Sequence, residues 1–282
     1  MSNILTAIKA MIEYSSNVIA EASENNSLNR ANQMGDALED YVKNAFADCL
    51  GRDIRSVNQS RKTVFSYLGN SSNPPDAMLI GGDAIEIKKI TALGTPRLQL
   101  NSSYPKNKLY ASNPKICRAC RDCENWQVKD MLYVVGQVNG KELQNIFFIY
   151  GDLYCDSHYI YENVENKIKE SLESLEDVEL ADTKELGRVN KVDHLGITDL
   201  RIRGMWLIKT PFQYFDYLTE EIRDYAFKLV ALIPEDKYKS FSNVEEFEKF
   251  CDEHSVMISD EEIEDPRNPA DFINSKLIVY YY

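Results

Sequence analysis

Two carboxylates and an amine, Asp76, Glu86 and Lys88, flank a double-glycine bend in this 282-residue chain. Asp76–Ile80 and Ala84–Ile90 are apolar runs of strand length, and Gly81-Gly82-Asp83 is turn chemistry, so the spacing predicts an antiparallel hairpin. Side chains two apart share a strand face, which puts Glu86 beside Lys88 and sends Ile85 and Ile87 to a core. A three-residue loop at 81–83 sets Ile80 against Ala84 and Asp76 against Lys88, with Glu86 diagonal. A trio of this kind can hold a divalent cation against a scissile phosphodiester. Magnesium prefers oxygen ligands and keeps several waters, so Asp76, Glu86 and the Ile87 carbonyl suffice as protein donors. Lys88 would orient or help deprotonate the attacking water, or stabilise developing charge.

An acid followed about ten residues later by Glu-x-Lys also arises by chance in a charged chain, where it marks a solvated surface hairpin. Three features of context favour the site. Pro74 and Pro75 fix the start of the first strand, the opposite face of 84–90 is apolar, and an acidic helix precedes it. That helix is expected over Asn32–Leu50, where Met34, Leu38, Tyr41, Val42, Ala45, Phe46 and Cys49 recur at three- and four-residue steps as one apolar stripe. Glu39 lies at the margin of the stripe and is the best-placed further carboxylate.

Beyond the hairpin, Lys129–Val138 and Leu143–Tyr150 read as buried central strands, and a helix from Tyr161 to Leu175, with Ile168, Leu172 and Leu175 inward, is expected to cover them. Leu200–Ile208 alternates, with Arg201 and Arg203 on one face and Leu200 and Ile202 on the other. Paired arginines on a strand suit bidentate contact to guanine in a major groove, and equally suit salt bridges to nearby acids. With Arg188, Asn190, Lys191 and Asp199 they form the candidate recognition set.

The blocks Asn29–Glu39 (NRANQMGDALE), Pro75-Asp76 with Glu86-Ile87-Lys88, Trp126-x-x-Lys129-Asp130, Tyr150-Gly151-Asp152, Glu185–Asp193 (ELGRVNKVD) and Gly196–Trp206 (GITDLRIRGMW), in that order, resemble the NgoPII type II restriction endonucleases over roughly residues 29–215. The resemblance implies an α/β fold of the PD-(D/E)xK kind: a restriction-endonuclease-like mixed sheet flanked by helices. It implies action on double-stranded DNA, as a homodimer, at a short GC-rich palindrome of the GGCC type. At matching positions Asp76, Glu86 and Lys88 carry over as the catalytic set and Glu39 as an accessory carboxylate. A cognate DNA methyltransferase is then expected as a genetic partner rather than a bound one.

Length and 44% hydrophobic content fit a single domain over 1–282, with N-terminal helices at 1–50, a catalytic and recognition core at 60–215 and an acidic accessory segment at 216–282. The start, residues 1–22, reads as an amphipathic helix without a basic leader or cleavage site, and no apolar run approaches the roughly 20 residues that span a bilayer, so a cytoplasmic protein is expected. Net charge is -13, which opposes nucleic-acid binding unless it is segregated. It is: residues 51–121 hold twelve Lys/Arg against four Asp/Glu, whereas 235–265 hold three against twelve. A basic cleft with acidic flanks can bind DNA while disfavouring nonspecific adhesion.

Cys117, Cys120 and Cys123 have metal-ligand spacing, with Cys155 or His158 as distant candidates for a fourth ligand of a structural metal; helix-packed free thiols are the ordinary alternative. Three histidines and no glycine-rich phosphate loop leave His-metal hydrolysis, a Ser-His-Asp hydrolase and ATP-driven cleavage without support. Two competing readings remain: a structure-specific repair or recombination nuclease, which would cut branched DNA without sequence preference, and a non-catalytic DNA-binding protein with a zinc knuckle, which has no need of all three hairpin groups.

Overall fold

The computed structural model describes residues 1–14, 30–70, 73–100, 104–175, 178 and 180–282, without the side chains of 30–35. The chain opens with α1 (Ile4–Glu13), started by Asn3, whose side chain accepts from the Leu5 and Thr6 N–H groups. Residues 15–22, expected to continue this helix, and the Met34 side chain lie outside the described residues. α2 (Arg30–Phe46) buries Leu38, Val42, Ala45 and Phe46, as the stripe requires. α3 (Ile54–Val64), capped by Asp53, leads straight into β1 (Phe65–Asn70).

The hairpin that carries Asp76, Glu86 and Lys88 is β2 (Asn73–Leu79) and β3 (Ala84–Ile90). β4 (Arg97–Gln99), β5 (Lys108–Tyr110) and the single turn α4 (Arg118–Arg121) follow. The apolar runs form β6 (Val128–Asn139) and β7 (Glu142–Tyr150), then α5 (His158–Glu173). Short strands β8 (Gly187–Val189), β9 (Leu200–Ile202) and β10 (Leu207–Lys209) precede α6 (Pro211–Tyr214). β11 (Lys228–Pro234), α7 (Glu235–Lys239), α8 (Val244–His254), β12 (Met257–Asp265) and β13 (Asn268–Tyr281) end the chain.

Among the described residues one mixed sheet runs in the order β1-β2-β3-β6-β7-β11-β13-β12, with β5 paired to β6 off this path. β3 and β6 are parallel, as are β7 and β11; the β6–β7 and β11–β13 pairs are antiparallel. α1 and α2 cover one face, with Phe46, Leu132, Phe148 and Ile278 in a common cluster. The other face buries Met78, Tyr133, Phe147, Tyr154 and Phe215. Central strands covered on both sides explain why β6 and β7 read as unbroken apolar runs.

Three expectations need correction. The segment 216–282, expected to be accessory, supplies β11, β12 and β13 to the main sheet. α5 does not lay an apolar face on the sheet: Ile160, Val164 and Ile168 are exposed, and the residue it buries is Glu165, which accepts from the Lys115 ammonium at 2.5 and 2.6 Å and from Trp206 Nε1 at 3.1 Å. The expected strand 200–208 is two strands in two sheets: β9 pairs with β8, and β10 with β4, because 187–189 and 97–99 offer different edges. Leu200 consequently points to solvent rather than into a core.

Candidate active site

The bend sets the geometry of the hairpin. Ala77 pairs with Ile85 and Met78 with Ala84, so the loop is Ile80–Gly82, with Gly81 at φ +62° in the left-handed region that glycine adopts without strain. The predicted loop, 81–83, is displaced by one residue and the pairing by two. Continuing the observed register sets Asp76 across from Glu86, with Lys88 diagonal, rather than Asp76 across from Lys88. An even shift preserves the face of every side chain, so the three groups still converge.

Asp83 is the cause of the displacement. Instead of lying in the bend it is buried, accepting from the Tyr150 hydroxyl and from Lys237 Nζ, each at 2.6 Å. Lys237 also donates to Asp130 at 2.6 Å, and Lys108 links Asp130 to Asp152 at 2.6 and 2.7 Å. A second clamp holds the bend from the other side. Lys129 Nζ donates to the Leu79 and Gly82 carbonyls at 2.9 and 2.7 Å and pairs with Glu124 at 2.6 Å; Glu124 accepts from Gly81 N–H and Ser66 Oγ, both at 2.8 Å. None of these residues was identified as functional from the sequence. The available signal was Lys129-Asp130 inside an apolar strand, since a charge placed there needs a partner.

At the open end of the hairpin, Asp76 Oδ2 accepts from the Ile87 N–H at 2.6 Å. Lys88 Nζ donates to Glu86 Oε1 at 2.5 Å and to the Ile87 carbonyl at 3.3 Å, and lies 3.9 Å from Asp76 Oδ2. The carboxylates are 13% exposed and the ammonium 23%. Burial first, and then the Glu86 charge, raise the Asp76 carboxyl to about 7 against the opposing pull of Lys88. Burial disfavours the Lys88 ammonium, but Glu86 and Asp76 outweigh it and hold its proton above the usual lysine range. Glu39 pairs with Lys43 at 2.9 Å, and its negative charge contributes to the upward shift of both Asp76 and Lys88. Lys106 is a buried cation that the sequence did not reveal; burial lowers it to about 8 while the Glu86 charge works the other way.

This donor set suits a hard divalent cation. Three oxygens, from Asp76, Glu86 and Ile87, surround one cationic centre, and two crowded carboxylates gain from further positive charge. The set is two carboxylates and a carbonyl; among the described residues no three Cys, His, Asp or Glu side chains gather as a metal group. The cysteine run does not converge either. Cys117 Sγ meets the Tyr67 hydroxyl at 3.3 Å, Cys120 is buried against the Met78 sulfur, and Cys123 donates to the Cys120 carbonyl. Cys155 is buried with its thiol pushed up to about 12, and His158 lies against the Tyr110 ring.

The candidate recognition residues do share one surface, on the β8–β9 ribbon. Arg188 donates to Asn190 and Asp199 at 2.7 and 3.1 Å, and the Lys191 N–H to Asp199 at 3.0 Å. Arg201 and Arg203 both donate to Glu185, at 2.6 to 2.9 Å.

Two comparisons with known proteins find relatives of this chain. The family model described as NgoPII restriction endonuclease matches residues 2–264. The type II restriction enzyme NgoPII of Neisseria gonorrhoeae is 43% identical over 279 residues, covering 98% of this chain and 100% of that enzyme. No solved structure matches significantly. With a match that runs from α1 to the end of β12 and includes the clamped hairpin, the chain belongs to the NgoPII restriction endonuclease family and is a type II restriction enzyme.

Proposed function

We propose that the protein hydrolyses both strands of duplex DNA at a short, GC-rich palindrome of the GGCC type, with magnesium, leaving 5′-phosphate ends. The observation that carries this reading is the convergence of Asp76 Oδ2, Glu86 Oε1 and the Ile87 carbonyl on one cationic centre at the open end of the hairpin. Those three oxygens would hold the metal, which when bound supplies charge neutralisation at the phosphate and a more acidic water. Lys88 retains its proton and brings positive charge to the place where negative charge develops. The Ile87 N–H fixes the orientation of the Asp76 carboxylate, and Glu39 from α2 is the accessory acid.

On the β8–β9 ribbon, Arg201 and Arg203 would exchange Glu185 for guanine edges, while Arg188, Asn190, Lys191 and Asp199 set the shape of the reading surface. A palindromic target is matched by a two-fold protein, so a homodimer is the working form. A cytoplasmic location and a cognate DNA methyltransferase as genetic partner complete the proposal, since host DNA needs protection from the same specificity.

Digestion of a plasmid of known sequence with magnesium, followed by sequencing of the ends, tests the proposal directly. Discrete fragments ending at one short palindrome with 5′-phosphates are expected. Random nicking, or cutting confined to branched substrates, would overturn it.

A further inference from the structure

α3 is an unusual helix for so acidic a chain. It buries no residue fully; Val57 and Val64 are only partly covered by the core beneath. Arg61 bolts it to α2, donating to the Asp40 carbonyl at 3.0 Å and to Asn44 Oδ1 at 2.8 Å and pairing with the Asp40 carboxylate at 2.8 Å. Val57, Ser60, Arg61 and Val64 therefore form the inward side. Arg55, Asn58, Gln59 and Lys62, at steps of three and four residues, form the outward side, and all four are exposed. Among the described residues neither Arg55 nor Lys62 has an ion-pair partner, whereas the ribbon arginines at 188, 201 and 203 are all paired with acids. The acidic residue on α3's approach, Asp53, is occupied as its N-cap.

Position adds to composition. Arg61 grips Asp40, the neighbour of Glu39, and the last residue of α3 adjoins β1, which pairs with the strand of Asp76. The C-terminal end of the helix is thus fixed both to α2, which carries Glu39, and to β1, which pairs with the strand of Asp76. Two exposed cations, without an ion pair among the described residues, flanking two amides on one helix face is a chemistry suited to phosphate oxygens, which accept hydrogen bonds from Arg, Lys, Asn and Gln alike.

We infer that the outward face of α3, Arg55, Asn58, Gln59 and Lys62, grips the phosphate backbone of duplex DNA beside the catalytic hairpin, independently of sequence. The inference rests on the endonuclease reading above and adds to it a surface distinct from the β8–β9 ribbon. Its partner is the DNA backbone, because nothing apolar on this face serves a protein partner apart from Ile54 at its start.

The test is the salt dependence of binding by the full chain, with calcium in place of magnesium, to one duplex containing the cut site and one lacking it. For Arg55→Ala/Lys62→Ala, the slope of log Kd against log salt should fall by roughly 2, about one per lost phosphate contact, and both duplexes should weaken by the same factor. Lys249→Ala on α8 should leave the slope unchanged, and circular dichroism should show both variants folded, since no altered side chain is buried. An unchanged slope in the double variant would overturn the inference. So would a loss confined to the cognate duplex, which would make α3 a reader of bases. Failure of the unaltered protein to cut at any site would instead sink the endonuclease proposal, a separate outcome.

Discussion

The β2–β3 hairpin and the β8–β9 ribbon are both short two-stranded units bearing charges, yet they hold them in opposite ways. The hairpin's bend is fixed by ion pairs that each bury or largely cover one partner: Lys237 with the buried Asp83 and with Asp130, and the buried Lys129 with Glu124 and two carbonyls. The ribbon's arginines sit in solvent on Glu185 and Asp199. Exposed pairs contribute about 0–1 kcal/mol, whereas breaking a buried pair costs about 3–5 kcal/mol because a bare charge stays behind. The candidate catalytic groups are therefore held by contacts costly to break, while the candidate recognition arginines are held by contacts weak enough to exchange for other partners.

The largest expected effect sharpens the hairpin side of this contrast. Lys88→Ala should lower cleavage by roughly 10²–10⁴-fold, measured as single-turnover rate, with duplex affinity retained. Undiminished cutting would remove Lys88 from the mechanism. Next comes the clamp. Lys237→Ala leaves Asp83 and Asp130 without their shared cation and should destabilise the fold by about 3–5 kcal/mol in denaturant titration. A loss under 1 kcal/mol would show that the bend is not rigidly held. The smallest effect belongs to the ribbon. Arg201→Ala should leave stability within about 0.5 kcal/mol yet cost about 1–3 kcal/mol of discrimination between cognate and noncognate duplexes. If discrimination is untouched, Arg201 does not read a base; if stability falls sharply, the ribbon is not the exchangeable partner of the comparison.

The shared face of Asp76, Glu86 and Lys88 was legible because it depends only on a period of two, which survives any even slip. The register was not, because it is fixed by Asp83, whose partners Tyr150 and Lys237 lie far along the chain. The same limit explains α5. Its apolar spacing predicts a buried stripe, but Glu165 turns inward to satisfy Lys115 and Trp206, two residues that no local pattern connects to it. The β9–β10 break has a similar origin, in edges supplied by 187–189 and 97–99. Local periodicity reveals faces; buried polar partners at long range decide alignment and direction.

Lys237 lies 154 residues after Asp83, yet it neutralises the acid that flanks the bend, and β11 covers an edge that β7 would otherwise leave open. A copy lacking β11 and α7 would keep Asp76, Glu86 and Lys88 but lose the Lys237 tether on Asp83. Alignment of the hairpin is thus a property of a contact that spans 154 residues, not of the hairpin's own sequence.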